Sequence, residues 1–255
     1  PQRLEAFKHF VEHVEPITKP LEDQLDRKYI EARAKYPDLY GHYQLHDDHI
    51  RTDIELFRAE NVPLSTEESL LCQEYQAITG ALTVEFDGKE QTLPQMGKYL
   101  LENDRHLRES AWRATADCRL SVAEKLDELF DKLFNIRKKI ANNCGFDNFR
   151  DLRFKQWYRT DYSPENCREF HEAAETLVKP LVKKIYQRRC SDMKLAKLRP
   201  WDLGCDPLGR EPLKPFDEVE QLISGCQKIF TNLDPELGGK GRLFSQITLA
   251  PVSRT

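Results

Sequence analysis

Apolar and small residues recur at steps of three and four between Asn103 and Gly145: Leu107, Ala111, Ala114, Cys118, Val122, Leu126, Leu129, Leu133, Ile136 and Ile140. That spacing lays one continuous apolar stripe along an α-helix. No proline interrupts it. Asp104 and Glu109 near the start, and Arg137, Lys138 and Lys139 near the end, complement the helix dipole. Gly145 follows as a stop that is free to take positive φ. The pattern predicts a single helix about 60 Å long. A helix of that length needs other helices along it.

The flanking segments supply them. Residues 2–32 read as mostly helical, with Leu4, Phe7, Phe10, Val11 and Val14 on one face, divided by Pro16 and Pro20. Tyr36-Pro37 and Gly41 mark a break. A second helix is expected from about His42 to Ala59, with Leu45, His49, Ile50, Ile54 and Phe57 inward; Asn61-Val62-Pro63 ends it. Thr66 begins a third, carrying Leu70, Leu71, Tyr75 and Ile78 to Gly80. The period then drops to two. Residues 82–93 read as a β-hairpin turning on Asp87-Gly88, and Pro94 opens a short helix. Beyond Gly145 a short helix is expected over about Asn148–Phe154. Ser163-Pro164 starts another that runs to about Ala196 with a kink at Pro180. A loop rich in proline and glycine covers Leu198–Pro215, a helix covers about Phe216–Phe230, and Asn232–Thr255 has little periodicity. The fold class is all-α with long antiparallel helices and one small hairpin.

Composition narrows the function classes. The chain has 255 residues, 32% charged and 39% hydrophobic, which suits a protein with a sizeable core. No run of about 18 apolar residues marks a membrane span. The chain opens at Pro1 without a methionine, which leaves room for a trimmed start and a lost targeting segment. A net charge of −4 and a pI near 6.0 disfavour nucleic-acid binding. Seven cysteines are scattered singly, none in a CxxC pair, as expected of reduced thiols in the cytoplasm.

Local chemistry offers few candidates. His46-Asp47-Asp48-His49 has metal-like spacing, but no third or fourth ligand is near in sequence; a solvated helix face is the plainer reading. His9 and His13 are four apart without the intervening glutamate of an HExxH. The glycine-rich run 238–242 lacks the phosphate-loop pattern and a preceding strand. Arg188-Arg189 and Arg137-Lys138-Lys139 read as solvated faces, and Cys118, Cys144 and Cys190 show no catalytic thiol signature. Trp201-Asp202, after Arg199-Pro200, reads either as an anchor of its loop or as the lining of a cleft.

Three ordered stretches carry a family resemblance. One is Tyr75–Gly80 with Val84–Glu90 and Thr92-Leu93; the second is Asn103-Asp104-Arg105, Arg108 and Ala111-Trp112; the third runs from Gly145-Phe146 through Pro180 to Arg199-Pro200-Trp201-Asp202. Together, over about residues 60–230, they resemble the N-terminal half of the oligoendopeptidase F branch of the thimet-oligopeptidase-like zinc peptidases. The resemblance implies a bilobal helical enzyme with a deep channel for short peptides. It also implies zinc held by an HExxH motif and a later glutamate, in the complete enzyme. None of the seven histidines here lies in an HExxH; His171-Glu172 begins one, but Glu175 stands at the second histidine position. No catalytic, cofactor-binding or metal residue carries over, and no zinc is expected on this chain. The implied organisation is an N-terminal helical domain over 1–95 and the start of the peptidase domain over 96–255. The implied partners are short peptides and the missing C-terminal catalytic half, with no membrane or nucleic acid. The alternative is a catalytically inactive helical module that binds a peptide or partner.

Overall fold

The computed structural model describes residues 2–36 and 43–239. The break expected at Pro37 and Gly41, the helix start at His42 and the tail from Lys240 to Thr255, with Gly241 and Arg242, lie outside the described residues.

Apart from one hairpin, the regular elements of the described chain are all helical. Helices α1 (Gln2–His9) and α2 (Glu15–Lys35) are joined without a gap by a π-helical turn at Phe10–Val14. The Glu15 amide reaches back to the Phe10 carbonyl, just before Pro16. Helices α9 (Pro164–Ala173) and α10 (Lys179–Asp192) repeat the device: a π turn at Ala174–Val178 bonds Lys179 to the Ala174 carbonyl, just before Pro180. Proline lacks an N–H and crowds the carbonyl four residues back. A wider turn ahead of it relieves that conflict and keeps the chain helical. The expected division at Pro16 and Pro20 is therefore corrected: Pro20 sits inside α2. The helix expected to reach Ala196 ends at Asp192.

Helix α3 (Gln44–Leu56) buries Ile50 and Leu56 and leaves Leu45 exposed, against expectation. Helix α4 (Asn61–Gly80) begins earlier than Thr66. Pro63 falls in its first turn, where a missing N–H has no intrahelical acceptor to lose. Asn61 fixes that start, donating to the Ile140 carbonyl at 3.2 Å and accepting from Asn143 Nδ2 at 2.7 Å. On the α1 stretch only Val11 is buried; Leu4, Phe7 and Phe10 are exposed. The contact there is narrow, and Thr66 Oγ1 donates to the Val11 carbonyl at 3.2 Å.

Strands β1 (Thr83–Phe86) and β2 (Lys89–Thr92) pair antiparallel with Phe86 opposite Lys89. Asp87 and Gly88 take φ of 56° and 69°, the two positive angles that a two-residue turn of the strands' own twist requires. Thr92 caps the short helix α5 (Leu93–Met96) in a capping box with Gln95, and a 3₁₀ turn covers Gly97–Leu101.

The single long helix expected between Asn103 and Gly145 is two helices, α6 (Arg105–Leu120) and α7 (Ala123–Asn143). At the joint Val122 leaves helical geometry (φ −112°, ψ 7°), and the Ser121 hydroxyl donates to the Cys118 carbonyl at 2.7 Å. The apolar stripe continues through the joint, but its halves serve different cores. Ala111 of α6 joins Val84, Met96 and Tyr99 beneath the hairpin. Ile136, Ile140 and Ala141 of α7 join Leu56 and Leu152. A two-residue offset lets each half follow its own partner. Both cores link residues before and after position 95.

Gly145 ends α7 at φ 83°, and the Phe146 amide returns to the Ala141 carbonyl at 3.0 Å. Asn148 caps α8 (Phe149–Gln156), and Ser163 caps α9 with Asn166. A 3₁₀ turn at Pro200–Asp202 and helix α11 (Val219–Leu233) follow. Substituting Gly145 by alanine is expected to cost about 1 kcal/mol in urea denaturation, because alanine resists positive φ. Gly80→Ala, at an uncrowded helix end, is expected to be neutral or to stabilise by about 0.5 kcal/mol. Equal effects at the two positions would contradict the assigned geometry.

Candidate functional site

Asp202 has no solvent exposure. A buried carboxylate needs donors and countercharge in place of water. Helix α6 supplies both, because Arg105 and Arg108 are three apart and share a face. Arg105 binds Asp202 bidentately, with Nε to Oδ1 at 2.9 Å and Nη2 to Oδ2 at 3.0 Å. Arg108, itself buried, donates to Oδ1 at 3.2 Å and to the Trp201 carbonyl at 2.9 Å. Its other donors meet the Glu102 and Asn103 carbonyls at 2.9 Å each. The Arg199 amide reaches Oδ2 at 2.9 Å. Arg189 of α10 donates to the Asp202 carbonyl at 2.7 Å and also to the Cys205 carbonyl. Burial alone would raise the Asp202 carboxyl; the bonds from Arg105, Arg199 and Arg108 outweigh it and hold the group below the usual carboxylate range. Trp201 packs against Trp112 at 5.5 Å, with the Arg113 guanidinium 5.1 Å above its ring. Its indole N–H meets no acceptor among the described residues. Trp201-Asp202 is an anchor tying the loop to α6 and α10. Arg189, expected on a solvated face, is part of that anchor.

A groove runs along α4 and the α6–α7 joint. One cavity, of about 550 Å³, is lined by Cys72, Tyr75, Gln76, Leu126, Leu129, Phe130, Leu133 and Arg137. A second, of about 510 Å³, shares Tyr75 and Leu126 and adds Thr79, Leu82, Leu93, Pro94, Arg119 and Val122. Phe130 and Phe134 stand exposed beside it with rings 6.4 Å apart. Arg137 is held by Glu68 at 2.7 Å and lies over Phe149, not on the solvated face expected for it. Such walls accept apolar side chains. Asp127 is the one carboxylate among the residues that line the first cavity.

The other candidates are dispersed into ordinary contacts. Asp47 accepts from Tyr29 at 2.7 Å and pairs with Arg33 at 2.8 Å, which holds its carboxyl below the usual range. The His46 ring meets Tyr29 edge-on, and the His49 ring stacks on Tyr158 at 3.9 Å. Burial and the Asp53 carboxylate push the Tyr158 phenol up to about 12. The His9 and His13 rings stack on each other at 4.8 Å. His171 packs edge-on to Phe170, and Glu175 pairs with Lys179 at 2.8 Å. Among the described residues no group of three or more His, Cys, Asp or Glu side chains is placed to hold a metal ion. The Cys118 thiol donates to the Thr83 carbonyl, and that of Cys190 to the Leu195 carbonyl. Burial raises the Cys144 thiol. All seven cysteines are unpaired. Gly238 accepts a bond from Gln227 through its carbonyl, and the rest of its loop beyond Gly239 lies outside the described residues.

The family model described as peptidase family M3 matches residues 99–233. Among solved structures, an oligoendopeptidase F is 25% identical with a TM-score of 0.88, covering 96% of this chain and 43% of its own. A PZ peptidase A solved with an inhibitor is 26% identical with a TM-score of 0.88, covering 98% and 44%. A Bacillus anthracis oligoendopeptidase F, 22% identical with a TM-score of 0.82, covers 92% and 43% and shares the fold. The chain thus spans less than half the length of the solved chains it matches. No curated protein matches significantly.

Asp202→Asn is expected to cost about 3 kcal/mol at neutral pH, because it strands a buried arginine. Asp202 is depressed in the folded state, so its contribution is present above the unfolded value of about 4 and is lost as pH falls through the folded value. The gap in urea midpoint between wild type and Asp202→Asn should therefore be full at pH 6 and narrow progressively below about pH 4. A gap independent of pH would contradict the ionised clamp.

Proposed function

Because the chain belongs to peptidase family M3, we propose that it is the N-terminal portion of an intracellular zinc-dependent oligoendopeptidase that hydrolyses short peptides. The observation that carries this reading is the family match across 99–233, together with the unfinished surface of that same region. Helices α9, α10 and α11 and the π turn between α9 and α10 bury no residue completely, and Phe170, Leu177, Leu181, Ile185, Ile229 and Leu233 are exposed on them. Exposed apolar surface on this scale marks an interaction face. In this reading it meets the C-terminal catalytic half. The reading places an N-terminal helical domain before about 95/96 and the peptidase domain after it; the family match begins at residue 99, while both buried clusters span that position.

The described residues do not fit a zinc ion: His46 and His49 are turned onto Tyr29 and Tyr158, and Glu175 is paired with Lys179. The reading therefore assigns zinc, its ligands and the activated water to the other half and derives no catalytic step from these helices. Their work is to wall the channel, with the Asp202 clamp holding the loop after α10 against α6. Among the described residues no helix is long and apolar enough to cross a membrane. Seven unpaired thiols suit a reducing cytoplasm. Short peptides are the substrates in this reading, and a net charge of −4 speaks against nucleic acid.

One observation favours a second reading, a catalytically inactive helical module that binds a peptide or partner: the apolar groove beside α4 and α7 is already formed. Cleavage separates the two. Residues 1–255 with added zinc are expected to leave a quenched fluorescent peptide intact, whereas the protein carrying an HExxH half should cut it and lose activity to a chelator. Chelator-sensitive cleavage by residues 1–255 alone would contradict the assignment of zinc elsewhere. Peptide binding without cleavage in the longer protein would favour the module.

A further inference from the structure

Helix α8 and the turn after it carry four cations in ten residues: Arg150, Arg153, Lys155 and Arg159. Three are neutralised locally. Arg150 pairs with Asp151 at 2.7 Å, Arg153 with Glu68 at 3.6 Å, and Lys155 with Glu55. Arg159 has no carboxylate partner among the described residues. Tyr158 takes φ 52° and the Arg159 amide returns to the Phe154 carbonyl at 3.1 Å, which folds the arginine back over α8. Its guanidinium then lies over three rings: Trp157 at 4.6 Å, Phe154 at 4.9 Å and Tyr162 at 5.6 Å.

Aromatic faces attract a cation and fix its plane, but they leave the in-plane N–H donors unused. Those donors form a fork that matches a carboxylate. Beside the guanidinium opens a cavity of about 400 Å³ with apolar walls from Phe146, Phe154 and Pro164 and a hydroxyl from Thr160; Lys155 also lines it but is held by Glu55, and the Thr52 hydroxyl there donates to the Asp48 carbonyl. Apolar walls strengthen an ionic contact by lowering the local dielectric. Asp151 also lines the cavity, but Arg150 and Asn148 engage its carboxylate.

We propose that this cavity is a carboxylate subsite in which Arg159 binds an acidic group of a short peptide through two parallel N–H donors. The inference rests on the peptidase reading for the ligand being a peptide. The carboxylate can come from an acidic side chain or from the peptide C-terminus. The volume exceeds what a lone inorganic anion fills and suits a whole residue.

Three probes test it on residues 1–255, read by calorimetry and by tryptophan fluorescence, since Trp157 adjoins the guanidinium. They are acetyl-Ala-Glu-Ala-amide, acetyl-Ala-Ala-Ala with a free carboxylate, and the neutral acetyl-Ala-Gln-Ala-amide. At least one acidic probe should bind about tenfold more tightly than the neutral one, and which of them does so identifies the source. Arg159→Gln should abolish that preference. Thr160→Glu, at an exposed position on the rim, should weaken the acidic probes while leaving the thermal melt unchanged. Equal binding of all three probes, no binding, or a preference that survives both substitutions overturns the subsite. Equal binding would leave the peptide reading standing, because that reading is decided by cleavage.

Discussion

The constraint on which this structure turns is the fully buried Asp202 carboxylate. A charge removed from water costs several kcal/mol unless donors and countercharge replace the solvent. Here Arg105 and Arg108 of α6 and the Arg199 amide meet that need together, while α10 holds the carbonyl of the same residue through Arg189. The consequence is positional. Residues about a hundred apart in sequence are locked in register, and α9–α10 is held in place although it buries almost nothing itself. A helix pair with that much apolar surface facing outward is held at one end by electrostatics rather than by a core of its own.

The second organising fact is that the chain maintains two cores along one apolar stripe. The stripe from Leu107 to Ile140 is continuous in sequence, yet its first half serves the hairpin and its second half serves α3, α4 and α8. The offset at Ser121-Val122 reconciles the two, and the groove passes beside it. Thus the feature that divides the helix also shapes the surface best suited to apolar side chains.

Much of this was legible in the residues. Asp87-Gly88, Ser163-Pro164 and Gly145 dictate their turns and caps through backbone chemistry alone, and each does what its type requires. The joint at Ser121-Val122 was not legible, because periodicity reports a face and not what that face packs against. The two π turns were hidden for a related reason: proline signals conflict, but whether the helix breaks or widens depends on its surroundings. Arg189 looked like a surface charge because its partners are carbonyls on a distant turn. The sharper signal lay in Trp201-Asp202, since a carboxylate in an apolar loop predicts cations elsewhere. Arg159 gave no sequence signal at all; its lack of a carboxylate partner emerges only when its three neighbours are seen to be paired.

In the function proposed above, these helices are the N-terminal portion of an M3 oligoendopeptidase whose zinc half is encoded in the same reading frame. Sequencing the source transcript past the codon for Thr255 tests this. An in-frame HExxH followed downstream by a further glutamate is expected. A stop codon immediately after Thr255 would contradict it and leave a helical binding module as the protein's working form.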